Sequence, residues 1–307
     1  MAAELDLSGV TPANITPFEP GGESIHEDDL RQHIDDLVAY DAVNGILCNG
    51  HAGEVAGLSQ AEQIRVIEII DDTTTSETPV ISGVTAGSTS QAVERSKAAS
   101  AAGADALLIL PPHTTITNHQ AAAIEFFSAL AANVDIPLIV FQTPDWAGGN
   151  YAPETLRALV EIDNIIGVKN AVWDVDHYQN DIRAIRDASF DAQVMVANDE
   201  HMLPSLMLRS DGIFLELAAV ITDHIINLYE AVEGSDVEKA REIYDTMEPF
   251  VAAMYEPPIQ YSHVRLKVAL EIQGKITHAD PRKPTLPISD DEREQIKEAM
   301  QASNLDF

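Results

Sequence analysis

Short apolar runs alternate with amphipathic stretches through the first two-thirds of the chain. The runs lie at 9–15, 45–49, 79–83, 106–110, 138–141, 165–169, 193–197 and 212–215, each four to seven residues long. They are apolar along their length instead of alternating in polarity, which is the pattern of strands covered on both faces in a parallel sheet. The stretches between them, 27–40, 60–73, 90–102, 119–132, 153–161, 178–188 and 202–210, carry apolar residues at helical spacing. Eight strands separated by helices predict an α/β fold, a (β/α)8 TIM barrel. A doubly wound sheet is the competing architecture, but no Gly-x-Gly-x-x-Gly turn follows the first run.

From about Thr222 the strand pattern stops. Helical periodicity continues at 225–233, 236–254, 261–273 and 290–302, while Pro281, Pro284 and Pro287 break any helix over 278–287. The expected organisation is a barrel over 1–224 and a C-terminal helical extension over 225–307 packed on it.

Charge narrows the class of partner. Fifty acidic residues stand against 18 basic ones, a net charge of −32. Nucleic acid is not an expected partner, because phosphate contacts need clustered Lys and Arg; anionic membrane surfaces would repel the chain. The acids are scattered over a chain that is 45% hydrophobic, the signature of an acidic coat on a folded domain. A halophilic protein of a high-salt cytoplasm is the expectation, since salt screens the self-repulsion. The single cysteine, Cys48, fits a reducing compartment and reads as a small core residue. No apolar run reaches the ~18 residues of a membrane span, and the first residues lack the basic flank and apolar core of a leader. A cytoplasmic location follows as an expectation.

Lysine is nearly absent: residues 1–238 hold only Lys97 and Lys169. Lys97 falls in a polar helical stretch and can point into water. Lys169 ends the apolar run Ile165-Ile166-Gly167-Val168, where burial disfavours the ammonium form. An amine of lowered pKa can attack a carbonyl and form a Schiff base; the alternative is an ion-paired strand end. In a (β/α)8 barrel the site lies at the C-terminal ends of the strands. Strand two runs into Gly50-His51-Ala52-Gly53-Glu54, whose two glycines permit a tight turn with free N–H groups suited to a carboxylate. Strand four runs into His113, strand five into Phe141 and then Trp146, and strand seven into Asn198. No grouping has metal-ligand spacing, so neither a metal nor another cofactor is expected.

The order and spacing of these segments resemble the dihydrodipicolinate synthase / N-acetylneuraminate lyase family over nearly the whole chain. The matching segments are the opening Val10 to Phe18, the Gly50–Glu54 loop followed by Leu58-Ser59 and Glu62, and Gly103-Ala104-Asp105-Ala106. Gly167-Val168-Lys169, Lys267 to Gly274, and Pro281 to Pro284 complete the set. The resemblance implies class I chemistry: Lys169 forms an imine with pyruvate or a related 2-keto acid, and Gly50, His51 and Ala52 hold its carboxylate. It implies a homo-oligomer, tetramer or dimer. The expected activity is a Schiff-base lyase, aldolase or dehydratase, on pyruvate-type or 2-keto-3-deoxy sugar acids. The alternatives are dihydrodipicolinate synthase-like condensation and a catalytically inactive 2-keto-acid-binding barrel.

The departures from the family are chemical. Phe141 replaces the strand-five tyrosine that relays protons, and Trp146 falls where synthases place an arginine for a second carboxylate. His51 and His113 appear where hydroxyls vanish, and histidine titrates near neutrality; both are candidate proton carriers, with packing as the other role. Asn198 is placed to bind substrate hydroxyls or to brace a turn. Glu54 reads as a loop brace, Tyr255 as a packing residue, and His224, His263 and His278 as surface groups on the tail.

Overall fold

A computed structural model describes residues 5–112, 118–144 and 147–305. Eight parallel strands form one sheet: β1 (Gly9–Val10), β2 (Ile46–Cys48), β3 (Val80–Val84), β4 (Ala106–Ile109), β5 (Leu138–Gln142), β6 (Ile165–Asn170), β7 (Gln193–Val196) and β8 (Gly212–Ile213). Their order is β1-β8-β7-β6-β5-β4-β3-β2. The two ends of that order also approach one another. Val10 bridges Val43 and Ala13 bridges Leu47, both in parallel sense. With C-terminal helices added, this is an α/β fold of the TIM-barrel class.

The first run predicts seven strand residues and yields two. Pro12 has no N–H to offer a ladder, so beyond Val10 the chain bonds alternately to its neighbours. Thr11 and Ala13 donate to Ile213 and Leu215 at 2.8 and 3.0 Å, while Leu47 donates to Pro12 and Asn14 to Leu47 at 2.9 Å each.

The helices are α1 (Glu27–Val38), α2 (Gln60–Thr73), α3 (Thr89–Ala101), α4 (Gln120–Ala131), α5 (Pro153–Val160), α6 (Val175–Arg186), α7 (Met202–Met207), α8 (Thr222–Glu233), α9 (Val237–Met254), α10 (Ser262–Ile272) and α11 (Asp290–Ala302). Caps set most of the boundaries. Ser59 and Glu62 form a reciprocal capping box on α2. Asp174 accepts the His177 N–H at 2.7 Å and starts α6 three residues before the apolar periodicity does. Arg209 adopts a left-handed φ of 67°, beyond the end of α7 at Met207 and short of the predicted 210. Helix α8 runs across residue 224 and returns to the sheet through Tyr229. Its hydroxyl donates to Asp211 O at 2.9 Å and accepts the Gly9 N–H at 3.1 Å. In the extension, Met247 and Phe250 of α9 and Met300 of α11 are fully buried. Among the described residues no helix is long and apolar enough to cross a membrane.

Candidate active site

Strand β6 lies between β5 and β7, and its register sets Lys169 beside Phe141 on one side and Met195 on the other. Gly167 is required by this crowding, since a Cβ there would come 2.8 Å from Gln193 O. Only 9% of Lys169 is exposed, whereas Lys97 stands in solvent. Its Nζ lies 4.7 Å from the centre of the Phe141 ring. Among the described residues no carboxylate oxygen comes within 4.0 Å of that nitrogen and no hydrogen bond engages it. Burial lowers the amine pKa, and the charges of Asp199 and Glu216 oppose the shift.

Those two acids belong to a buried group that sequence reasoning passed over. Asp199 leaves the sheet just after β7 and accepts the Leu217 N–H on Oδ1 at 3.0 Å, which ties the turn after β7 to the one after β8. Burial, and then the charge of Glu216, hold the Asp199 carboxyl well above its ordinary range. Glu216 accepts the Tyr255 hydroxyl at 2.9 Å. Tyr255 therefore does more than pack: it reaches from the end of α9 to orient an acid in the mouth. Burial, then the charges of Asp199 and Glu216, push its phenol up. Burial raises Glu200 to about 7, and its carbonyl accepts the Tyr244 hydroxyl at 2.6 Å. The signal was a carboxylate inside the apolar run Ile213-Phe214-Leu215-Glu216-Leu217.

The Gly50–Glu54 loop folds as a compact turn. Glu54 N–H returns to His51 O at 2.9 Å and Val55 N–H to Gly50 O at 3.2 Å. The N–H groups of His51, Ala52 and Gly53 have no acceptor among the described residues, and a Cβ on Gly50 would meet nothing within 4 Å. The loop thus keeps three backbone donors unspent, the kind of groups that can hold an anion. Glu54 is the brace expected of it, at a left-handed φ of 54°. It pairs with Lys267 of α10 and accepts the Arg282 N–H at 2.9 Å. Lys267 is fully buried, 3.9 Å from the centre of the Phe18 ring; burial lowers its pKa to about 8 against the pull of Glu54.

His51 is exposed and stands edge-on to His263, ring centres 5.5 Å apart. His263 corrects the surface assignment: it is 7% exposed beneath the loop, its Nε2 lies 3.8 Å from Glu54, and burial lowers its pKa to about 4. Asn198 is buried and spends both amide protons inside the fold, on Val172 O at 2.7 Å and Ser205 Oγ at 2.9 Å. Its geometry is that of a brace for the turn carrying Asp199. Cys48 is buried in β2 and its thiol is pushed up to about 12 by burial. His113 and Trp146 lie outside the described residues.

Residues 6–303 match the dihydrodipicolinate synthetase family. A 4-hydroxy-tetrahydrodipicolinate synthase of Methanospirillum hungatei is 34% identical over 96% of this chain and 98% of its own length. The synthase of Methanopyrus kandleri is 33% identical over 97% of both chains, and that of Haloarcula marismortui 31% identical over 96% and 94%. A solved dihydrodipicolinate synthase superposes with a TM-score of 0.86 at 28% identity, covering 97% of this chain and all of its own. The Thermotoga maritima enzyme shares the fold, with a TM-score of 0.89 at 22% identity over 97% and 99%. The relatives are lyases, and the segment around Lys169, the Gly50–Glu54 loop and the tail fall in one continuous match: the chain belongs to the dihydrodipicolinate synthetase family and is an enzyme of the lyase class.

Proposed function

We propose that Lys169 condenses with the keto carbon of a pyruvate-type 2-keto acid. The resulting imine then condenses with a second carbonyl compound, a reading supported by relatives named 4-hydroxy-tetrahydrodipicolinate synthase. One observation carries the reading: a buried amine of lowered pKa whose nitrogen meets no carboxylate among the described residues. The free N–H groups of His51 and Ala52 suit the keto acid's carboxylate. The iminium is then the electron sink for making or breaking a carbon–carbon bond. A closed (β/α)8 barrel over 1–224, supported by the Val10–Val43 and Ala13–Leu47 bridges, and a helical extension over 225–307 are part of this reading. So is a homo-oligomer.

A second reading is favoured by the acids. Asp199 and Glu216 near Lys169 suit a hydroxyl-rich partner better than an anionic aldehyde, and Phe141 removes the relay of the synthases. Cleavage or dehydration of a 2-keto-3-deoxy sugar acid fits that environment. His51 and His113 remain proposed proton carriers.

Trapping with borohydride tests the shared step. Incubation with pyruvate followed by reduction should add the mass of a reduced adduct, lost in Lys169→Ala. Product analysis with an aldehyde panel and with 2-keto-3-deoxy acids then separates the two readings. Melting across KCl tests the high-salt proposal: a melting point that rises with salt supports it, and one that does not change removes it.

A further inference from the structure

We propose that Asp199 is the acid of the imine-forming step, replacing the hydroxyl that Phe141 lacks. The inference rests on the Schiff-base role of Lys169. Strands β5, β6 and β7 set Phe141, Lys169 and Met195 side by side, and three residues beyond the end of β7 the chain delivers Asp199, 7% exposed. The Leu217 N–H fixes Oδ1, while Oδ2 accepts no hydrogen bond among the described residues. Glu216 is already engaged as an acceptor by the Tyr255 hydroxyl, whereas Asp199 keeps Oδ2 open. Neighbouring buried carboxylates disfavour one another's charge. Asp199 is the one that burial and Glu216 push toward the protonated form, so geometry and charge agree. The groups acting on it are Glu216 from the turn after β8, Glu200 from its own turn, Lys169 from β6 and, across Glu216, Tyr255 from the end of α9.

The step balances without a further reactant. The Lys169 amine attacks the keto carbon, and the Asp199 proton goes to the keto oxygen. That oxygen then leaves as water with a proton from the nitrogen and one from the acid, giving an iminium beside the Asp199 carboxylate. Amine, acid and ketone become iminium, carboxylate and water, with no net charge change. Burial penalises the two new charges, and their mutual attraction across the mouth offsets that penalty.

Pyruvate is the probe because it has no hydroxyl for a distal subsite to bind. The rate of cyanoborohydride-trapped adduct is followed by mass from pH 5 to 9 in the full-length wild type, D199N and D199N/F141Y, with melts of each. On the alkaline side of the wild-type profile the rate should fall as pH rises and the acid loses its proton. D199N should slow trapping about a hundredfold near neutrality and abolish that alkaline fall. F141Y in the same background should restore at least tenfold. Overturning results are a D199N rate and profile equal to wild type, or a loss in which the profile keeps its shape and F141Y restores nothing; the side chain then only braces the Leu217 turn. A wild type that forms no adduct refutes the Lys169 reading itself, separately from the identity of the acid.

Discussion

Two lysines are buried in this molecule, and their surroundings are opposite. Lys267, on α10, is fully enclosed, paired with Glu54 and 3.4 Å from Asp280 O. Lys169, on β6, is nearly as enclosed, yet within 4.0 Å it meets no carboxylate among the described residues. Both nitrogens lie over an aromatic face, at 3.9 and 4.7 Å, and in both burial lowers the pKa. Burial alone therefore does not make a nucleophile. A close carboxylate holds the ammonium charged and immobile, whereas acids at longer range leave the amine free to lose its proton and react.

The widest gap between the two should appear on substitution to alanine. Lys169→Ala should reduce turnover on the order of 10⁴-fold or more and abolish the reduced adduct. Lys267→Ala should leave adduct formation at Lys169 detectable by mass in the folded fraction. Stability should show the reverse order. Lys267→Met strands Glu54 in the interior and should cost about 3–5 kcal/mol in urea unfolding. Adding Glu54→Gln should recover part of that loss, the coupling being read from the double-mutant cycle.

A smaller effect separates the buried acids around Asp199 from the acid beside Lys267. Glu200 has a folded pKa of about 7, above its ordinary 4.5. Its proton contributes stability that is full below 4.5 and lost as pH rises through 7. Between pH 6.5 and 8 the wild type should lose about 1 kcal/mol that Glu200→Gln does not. His33 and His263, held neutral by burial at about 3 and 4, act the other way. Their contribution is full above 6.5 and lost as pH falls toward those values, so it does not obscure the alkaline window. The smallest change is Phe141→Leu. Removing the ring should destabilise the Lys169 ammonium by about 0.5–1 kcal/mol and move the acid limb of adduct formation a few tenths of a pH unit lower.

The sheet was legible because strands covered on both faces leave continuous apolar runs, and β3 to β7 fell within a residue of them. Gly9–Val10 and Gly212–Ile213 came out shorter because a proline and single bridges interrupt the ladder there. Lys169 was legible by contrast, as a rare charge at the end of an apolar run. Lys267 sits in an equally apolar context, Val264-Arg265-Leu266-Lys267-Val268-Ala269-Leu270, but helical periodicity places charges on a wet face, and its partner is 213 residues away. Asp199 had no contrast at all, being one acid among fifty, and Glu216 only that of a carboxylate inside an apolar run. What pairs them is enclosure, which is created only when the turns after β7 and β8 meet.

The Glu54–Lys267 contact also constrains how such a chain can be recombined. A crossover that takes the front of one parent and the tail of another divides this acid from its base. Such a hybrid should keep the Gly50–Glu54 loop braced only when both parents carry the two residues, although 213 positions separate them.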